Sequence, residues 1–424
     1  MRTPLLLSLL FIILVSFQQQ KDHTLTHESI QLTTDSIFSR LVKVRRDIHE
    51  NPELAGKEER TQQVIKQYLL DLGLQVRTDI YGHSVLGILN GGKKGKKIAW
   101  RADMDAISNN FPDKVDFRSK VKGVQHGCGH DIHIAIGLGI ADVLAKHKAS
   151  VNGTVYFIFQ PAEETFVGAK GMVDSGLFDK IKPDEIYGLH ITPMSVGQIT
   201  VKPNEMYAHQ RRVRIKLKDK LSDEEVKALT DKISSAMVRV QPGGKPWDLK
   251  YLLDPQVGPG NPNTFFKDYL FMAENSTKHA GNDELFLDAS FYETNPDNIQ
   301  NIIPTVRQVV EQSGFGDKLL SVSMIQENPT VANDEKLTTA AINTIKRIYG
   351  NNAVLADYGQ VPYSNDDFAY FQQKVPGVYF FLGGSNFEKG IIARNHAPNF
   401  QVDEESIRVG VQRFTSLVFE RLKN

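Results

Sequence analysis

The spacing of apolar residues along the chain predicts alternating helices and strands. Apolar positions recur at helical intervals between residues 35 and 69, which predicts two helices. Short apolar runs typical of buried strands follow at 84–89, 97–101, 153–160 and 185–190. A helical pattern at 132–147 lies between two of these runs. The order strand, helix, strand predicts an α/β sheet with helices on both faces.

The pattern changes after residue 206. A charged strand, a helix, a second strand and a second helix follow at 211–218, 222–240, 284–291 and 298–312, with a Gly- and Pro-rich loop at 241–263. The α/β pattern then resumes with a helix at 335–349, a strand at 377–382 and a final helix from 404. We therefore expect a large domain in two parts, residues 21–206 and 323–424. A smaller α+β domain of β-α-β-α order, ferredoxin-like, interrupts it at 207–322.

The N-terminus predicts export. Arg2 precedes an apolar run of about 13 residues, Leu5 to Phe17, and polar residues close it. That run is shorter than the roughly 20 residues of a membrane-spanning helix, so residues 1–20 are interpreted as a signal peptide of a periplasmic or secreted protein. A retained anchor is the alternative. Because Cys128 is the sole cysteine, we expect neither lipoprotein processing nor an intrachain disulfide.

Length and charge restrict the function class. A chain of 424 residues exceeds the roughly 250–300 residues at which single cores stop growing, which agrees with two domains. Fifty basic residues balance fifty acidic ones, so no net field favours nucleic acid or an anionic membrane surface. We expect a soluble enzyme without a nucleic-acid partner and without stable membrane insertion after processing.

A cluster of metal-binding residue types lies between residues 126 and 133. Cys128 and His130 are two positions apart, and glycines flank the cysteine, so the backbone can bend both side chains onto one ion. An isolated Cys-x-His is more often a buried cysteine beside a hydrogen-bonded histidine. His126, Asp131 and His133 crowd into the same segment, which favours a metal site.

Further candidate groups follow other strands. Glu163 and Glu164 come directly after the strand 153–160, where one carboxylate could bind a metal and the other could move protons. His190 ends the strand 185–190, and His396 follows a Gly-rich loop. With the cysteine these groups form the set of N, O and S ligands that Zn²⁺ accepts, and Mn²⁺ or Co²⁺ could bind to the harder ligands of this set.

Asp103 and Asp105 follow the strand 97–101 and could orient metal-bound imidazoles. For Asp105, capping of a loop is an equally good interpretation.

Taken together, the motifs R-A-D-M-D-A-I, H-G-C-G-H-D-I-H, Q-P-A-E-E, G-L-H, D-D-F-A-Y-F and N-H-A-P-N-F resemble the amidohydrolase branch of the aminoacylase and carboxypeptidase metallopeptidases. That branch includes hippurate, N-acyl-amino-acid and indoleacetyl-amino-acid hydrolases. The resemblance implies a mixed-sheet zinc-peptidase-like catalytic domain and a small domain that often dimerises, so a homodimer is possible. It also implies two divalent ions, Zn²⁺, Mn²⁺ or Co²⁺, held by Cys128, His130, Glu164, His190 and His396. Glu163 would be the general base that takes a proton from a metal-activated water and returns it to the leaving amine.

One departure from that branch concerns the substrate. Its members usually carry a G-G-H-G-x-x-P-H segment whose histidine can hold a substrate carboxylate or the developing oxyanion. The matching stretch here, residues 211–222, contains no histidine, and the sequence assigns neither His209, Arg211 nor Asn263 to that role. The resemblance implies hydrolysis of N-acyl or N-aroyl amino acids or of small peptides. A dipeptidase or aminopeptidase, or an inactive metal-binding module, is the alternative, and the presence of Glu163 counts against the last.

Overall fold

A computed structural model of the chain describes residues 25–218, 220–239, 249–273, 277–280 and 284–423. The helices are α1 (His27–Glu50), α2 (Glu59–Asp71), α3 (His130–Lys146), α4 (Gly168–Asp174), α5 (Leu177–Ile181), α6 (Asp223–Met237), α7 (Leu249–Leu252), α8 (Ile302–Val310), α9 (Glu335–Tyr349), α10 (Phe368–Gln372) and α11 (Glu405–Lys423). The strands are β1 (Gln75–Thr78), β2 (Val85–Asn90), β3 (Lys93–Asp103), β4 (Ile107–Ser108), β5 (Val124–Gln125), β6 (Asn152–Gln160), β7 (Glu185–Ser195), β8 (Ile199–Thr200), β9 (Asn204–Glu205), β10 (His209–Lys218), β11 (Leu270–Met272), β12 (Thr277–Ala280), β13 (Glu284–Glu293), β14 (Leu319–Gln326), β15 (Ala332–Asn333), β16 (Val354–Leu355) and β17 (Gly377–Ser385). The expected signal peptide and residues 241–248 of the expected loop lie outside the described residues.

The large sheet has eight strands in the order β1-β2-β6-β3-β7-β17-β8-β16. Its central strands β6, β3, β7 and β17 run parallel to one another. At one edge β2 pairs antiparallel with both β1 and β6, and on the other side β8 pairs antiparallel with β17. Helices cover both faces, because α1, α3, α9 and α11 contribute to one hydrophobic cluster and α4, α5 and α10 to another. The predicted mixed α/β sheet is confirmed.

Helix α3 crosses the middle of this domain. It is mainly apolar and is buried from His130 to Leu144, as expected of a helix surrounded by other elements. Gly139 allows α1 and α11 to approach it, because an added Cβ would lie 2.4 Å from Val411 and 2.8 Å from Leu41. The N-terminus of this tightly packed helix carries His130.

The second sheet has the order β11-β13-β10-β14, with β12 also paired to β13. Helices α6 and α8 supply the apolar residues that cover one face. The two expected strands and two expected helices are present, and the structure adds edge strands, which gives the βαββαβ order of a ferredoxin-like unit. The domain end expected at residue 322 falls inside β14. Only Val322 of this edge strand is buried, so its apolar pattern is weak.

The parallel strands place their carboxyl ends at one edge of the large sheet, where α/β folds bind ligands. Strand β3 ends at Asp103, β6 is followed by Glu163 and Glu164, and the loop after β17 carries His396. Within the described residues, no helix is long and apolar enough to cross a membrane.

Candidate metal centre

The structure brings the five candidate ligands and Glu163 together from four segments of the chain. The ligand atoms of Cys128, His130 and His190 lie within 4.8 Å of one another, and so do those of Cys128, Glu164 and His396. A third such group comprises His130, Glu163 and Glu164. The shared members join the three groups into one cluster of nitrogen, oxygen and sulfur donors.

Short contacts within this cluster connect distant elements. Cys128 Sγ lies 3.4 Å from His190 Nε2, and His396 Nε2 lies 3.1 Å from Glu164 Oε1. His190 was expected at the end of a strand, whereas β7 continues to Ser195 and pairs there with β17. Cys128, His130 and Glu163 are buried and Glu164 and His190 are partly buried, whereas the side chain of His396 is 51% exposed. Substrate can therefore approach from the side of His396.

Gly129 turns the chain sharply between Cys128 and His130. Its φ of +96° is a conformation that favours glycine. An added Cβ would lie 2.3 Å from Ile191 Cγ2, so the turn also requires the absence of a side chain. The glycine thus lets the thiol and the imidazole reach the same point.

His130 presents an unpartnered nitrogen to the cluster. Its Nδ1 lies 2.8 Å from the backbone oxygen of Asp105, to which it donates. The buried Nε2 has no hydrogen-bond partner among the described residues, and it lies 3.8 Å from carboxylate oxygens of Asp103, Glu163 and Glu164. A buried acceptor nitrogen facing three carboxylates fits a cation, so the donor set fits divalent metal ions.

Asp105 holds the two glutamates in place. Its Oδ1 accepts from the Glu163 backbone N–H at 3.1 Å and its Oδ2 from the Glu164 N–H at 3.0 Å. The preceding Ala162 has φ +54°, and its N–H donates to the buried carboxylate of Glu58 at 2.9 Å. The side chain of Asp105 therefore fixes Glu163 and Glu164, and its backbone oxygen fixes His130. Of the two interpretations of Asp105, these contacts favour a residue that orients the site over one that only caps a loop.

His133 lies beside the cluster, but both its nitrogens already have partners. Its Nε2 accepts from the backbone N–H of Ile191 at 2.9 Å, so Nδ1 carries the proton and donates to Asp103 Oδ1 at 2.6 Å. His190 shows the opposite arrangement, because its Nδ1 donates to the Ile191 oxygen at 2.7 Å and leaves Nε2 facing Cys128. These bonds favour His190 as a ligand and His133 as a support.

Two other residues of the segment 126–133, Asp131 and His126, lie outside the set of ligand atoms. Asp131 Oδ2 lies 2.7 Å from Arg45 Nε and 2.9 Å from His49 Nδ1. His126 is buried, neither of its ring nitrogens has a partner within the described residues, and burial lowers its pKa to about 3. Neither residue belongs to the groups whose ligand atoms lie within 4.8 Å of one another.

The electrostatic environment shifts the pKa values of Glu163 and Glu164 in opposite directions. Burial and then the charges of Asp366 and Glu164 raise the pKa of Glu163 well above its usual value. Burial also acts to raise the pKa of Glu164, but the hydrogen bond from His396 and the charge of His130 lower it. Glu163 is therefore the better proton acceptor and Glu164 the better metal ligand.

Sequence reasoning missed a buried charge network behind Glu163. The guanidinium of Arg101 lies 2.6 Å from Asp103, 3.0 Å from Asp366 and 3.2 Å from Asp367. The motif D-D-F contributed to the resemblance without a role for either aspartate, and Arg101 was not singled out. The partners are up to 266 positions apart, so no local pattern could have paired them.

Comparisons with known proteins agree with this site. A family model described as peptidase family M20/M25/M40 matches residues 99–420. Thermostable carboxypeptidase 2 of Saccharolobus solfataricus is 30% identical, covering 90% of this chain and 95% of its own length. N-acetylcysteine deacetylase of Bacillus subtilis is 29% identical, covering 92% and 99%.

Among solved structures, the chain is similar to the YXEP protein of Bacillus subtilis, a dinuclear metal-binding peptidase. The identity is 26% and the TM-score 0.72, and the match covers 92% of this chain and 99% of that one. The resemblance inferred from the motifs is confirmed.

Proposed function

We propose that this chain, which belongs to peptidase family M20/M25/M40, hydrolyses the amide bond of N-acyl or N-aroyl amino acids. Membership makes the chain a metal-dependent hydrolase with a two-metal centre. The observation that carries the hydrolysis is the placement of Glu163, a buried carboxylate, beside a set of metal-binding side chains. A relative that removes an acetyl group from an amino acid supports the substrate class.

We assign the two ions to Cys128, His130, Glu164, His190 and His396. When bound, Zn²⁺, Mn²⁺ or Co²⁺ at such a site would acidify water and polarise the amide carbonyl. Glu163 accepts the proton of the attacking water and returns it to the leaving nitrogen. Asp105 holds the backbone of Glu163, which keeps the carboxylate at a fixed distance from the ligands.

Cleavage of peptides is the second candidate, because one relative is a carboxypeptidase. The test is an activity panel with the purified chain, loaded in turn with Mn²⁺, Co²⁺ and Zn²⁺. We expect turnover of N-acetyl and N-benzoyl amino acids. Turnover of dipeptides or unblocked peptides alone would favour the peptidase. If the metal-loaded chain hydrolysed neither the acyl amino acids nor the peptides, the hydrolase proposal would be wrong and a metal-binding module would be favoured.

We also propose that the chain is exported and forms a homodimer. Export rests on the Arg2 and Leu5–Phe17 pattern, and a processed N-terminus in the mature protein is the expected finding. Dimerisation is supported by β14, an edge strand that exposes Leu320 and Ile325. Sedimentation at a single-chain mass across micromolar concentrations would exclude a stable dimer.

A further inference from the structure

The turn that carries Glu163 and Glu164 contains residues in an uncommon backbone conformation. Ala162 has φ +54° and Phe166 has φ +57°, values that a Cβ atom disfavours. A residue stays in such a conformation only where its surroundings fix it. The contacts of Ala162 therefore decide where the segment that bears Glu163 begins.

Three successive backbone N–H groups of this turn, beginning with that of Ala162, donate to two buried carboxylates. The N–H of Ala162 donates to Glu58 Oε1 at 2.9 Å, and the next two N–H groups donate to Asp105. The carbonyl oxygen of Ala162 accepts from Thr165 and Gly168, which belong to the same turn. The bond to Glu58 thus ties the N–H of Ala162 to a side chain 104 positions away.

Glu58 lies at the start of α2 but does not cap this helix. Its side chain makes no capping hydrogen bond. The neighbouring Glu53 accepts from the backbone N–H groups of Arg60 at 3.0 Å and Thr61 at 2.8 Å, and so satisfies the first turn. Helix capping therefore does not explain why a carboxyl group occupies position 58.

The carboxyl group of Glu58 is fully buried. Its Oε2 has no hydrogen-bond partner within the described part of the chain. Burial raises the pKa of Glu58, and hydrogen bonds from backbone groups, that of Ala162 included, offset this only in part. Burial of a carboxyl group costs folding free energy unless hydrogen bonds compensate for it, and such groups concentrate at functional sites.

We propose that Glu58 is a positioning residue for Glu163. By binding the N–H of Ala162, its carboxyl group holds the left-handed turn from which the base projects, whereas Asp105 binds the N–H of the base itself. Loss of the bond would let Ala162 relax toward a negative φ and would displace the carboxylate of Glu163 from its place beside the metal ligands. This inference rests on the proposed function, in which Glu163 is the general base.

The experiment measures kcat and KM per folded chain on an N-acyl amino acid, with the metal-loaded full chain and three substitutions of Glu58. Glu58→Met keeps the length of the side chain and removes the acceptor, and Glu58→Asp keeps the charge and shortens the reach. In both variants kcat should fall about 10- to 100-fold with little change in KM, because a displacement of about 1 Å can cause the larger loss. Glu58→Gln keeps an acceptor oxygen at the same reach and should retain a kcat near that of wild type.

Glu53→Met is the matched control, because it removes a carboxylate that caps the same helix. It should lower stability in urea unfolding and leave kcat unchanged. Equal losses of kcat in Glu53→Met and Glu58→Met would overturn the inference, since they would trace the effect to the start of α2. Wild-type kcat in Glu58→Met and Glu58→Asp would also overturn it, as would a loss in Glu58→Gln as large as in Glu58→Met. If Glu58→Met does not fold, Glu58→Asp decides.

Hydrogen exchange of the backbone amides provides a readout that does not depend on turnover. The amides of residues 162–164 should exchange faster in Glu58→Met than in wild type, Glu58→Gln or Glu53→Met. Equal exchange in Glu58→Met and wild type would refute the positioning role. Absence of turnover by wild type would contradict the proposed function instead, and the exchange rates would then decide whether Glu58 holds this turn.

Discussion

Replacement of Asp105 by asparagine tests how the site is held together. The two carboxylate oxygens accept the backbone N–H groups of Glu163 and Glu164 at 3.1 and 3.0 Å. Asparagine would turn an amide NH₂ toward one of these N–H groups, so that two donors face each other in a fully buried position. The change keeps the size of the side chain and removes one acceptor and one negative charge.

The expected magnitude follows from these contacts. One charge-assisted hydrogen bond is lost and one buried N–H is left unpaired, which costs about 1–3 kcal/mol of unfolding free energy. The repulsion also shifts Glu163 relative to the ligands, and a displacement of about 1 Å can reduce the rate about 100-fold. We therefore expect kcat of Asp105→Asn to fall about 100-fold while KM changes little.

The assay is kcat on an N-acyl amino acid together with urea unfolding, and Asp142→Asn is the matched control. Asp142 is also fully buried, accepts from Tyr68 at 2.7 Å and pairs with Arg40. It lies in the same helix as His130, twelve residues further on, which is about 18 Å along the axis. The control should lose stability and keep kcat. If both variants kept kcat, Asp105 would not position the catalytic residues.

Three further predictions follow. Gly129→Ala should lower the unfolding free energy by about 1–2 kcal/mol because of its positive φ and by about a further 1–3 kcal/mol because of the contact with Ile191. Gly56 has φ +77° and open space around it, so Gly56→Ala should show only the loss of about 1–2 kcal/mol in urea unfolding. Arg101→Met should lower the unfolding free energy by about 3–5 kcal/mol, because it leaves buried carboxylates unpaired; a loss below about 1 kcal/mol would contradict this. Burial acts to raise the pKa of Glu185 in the folded state, but hydrogen bonds, chiefly from Arg421, lower it overall. The ionised carboxylate therefore stabilises the fold above about pH 4.3, and this stabilisation is lost as the pH falls below that value. Glu185→Gln should therefore flatten the acid side of the stability profile, and an unaltered profile would refute the role of this carboxylate.

Local patterns predicted the elements that have strong apolar periodicity. The helix expected at 335–349 has those bounds in the structure, because Asp334 caps its start and Gly350 follows its end. The edge strand β14 was missed because most of its residues are half-exposed or exposed. Edge strands bury too little apolar surface to give a clear alternation.

The residues of the candidate site also differ in how far a local sequence pattern predicts them. Cys128 and His130 could be selected from one short segment, whereas His396 required the family resemblance to be connected with them. The network of Arg101 depends on contacts between distant segments. Its energetic role comes from burial, which a sequence does not display.

The most direct test of the central claim is turnover by Glu163→Gln measured together with its metal content. We expect two divalent ions per chain in wild type and variant alike, since Glu163 is assigned as the base and not as a ligand. We also expect kcat on N-acyl amino acids to fall at least about 100-fold, the usual contribution of a general base. Wild-type turnover by a fully loaded Glu163→Gln chain would contradict the account.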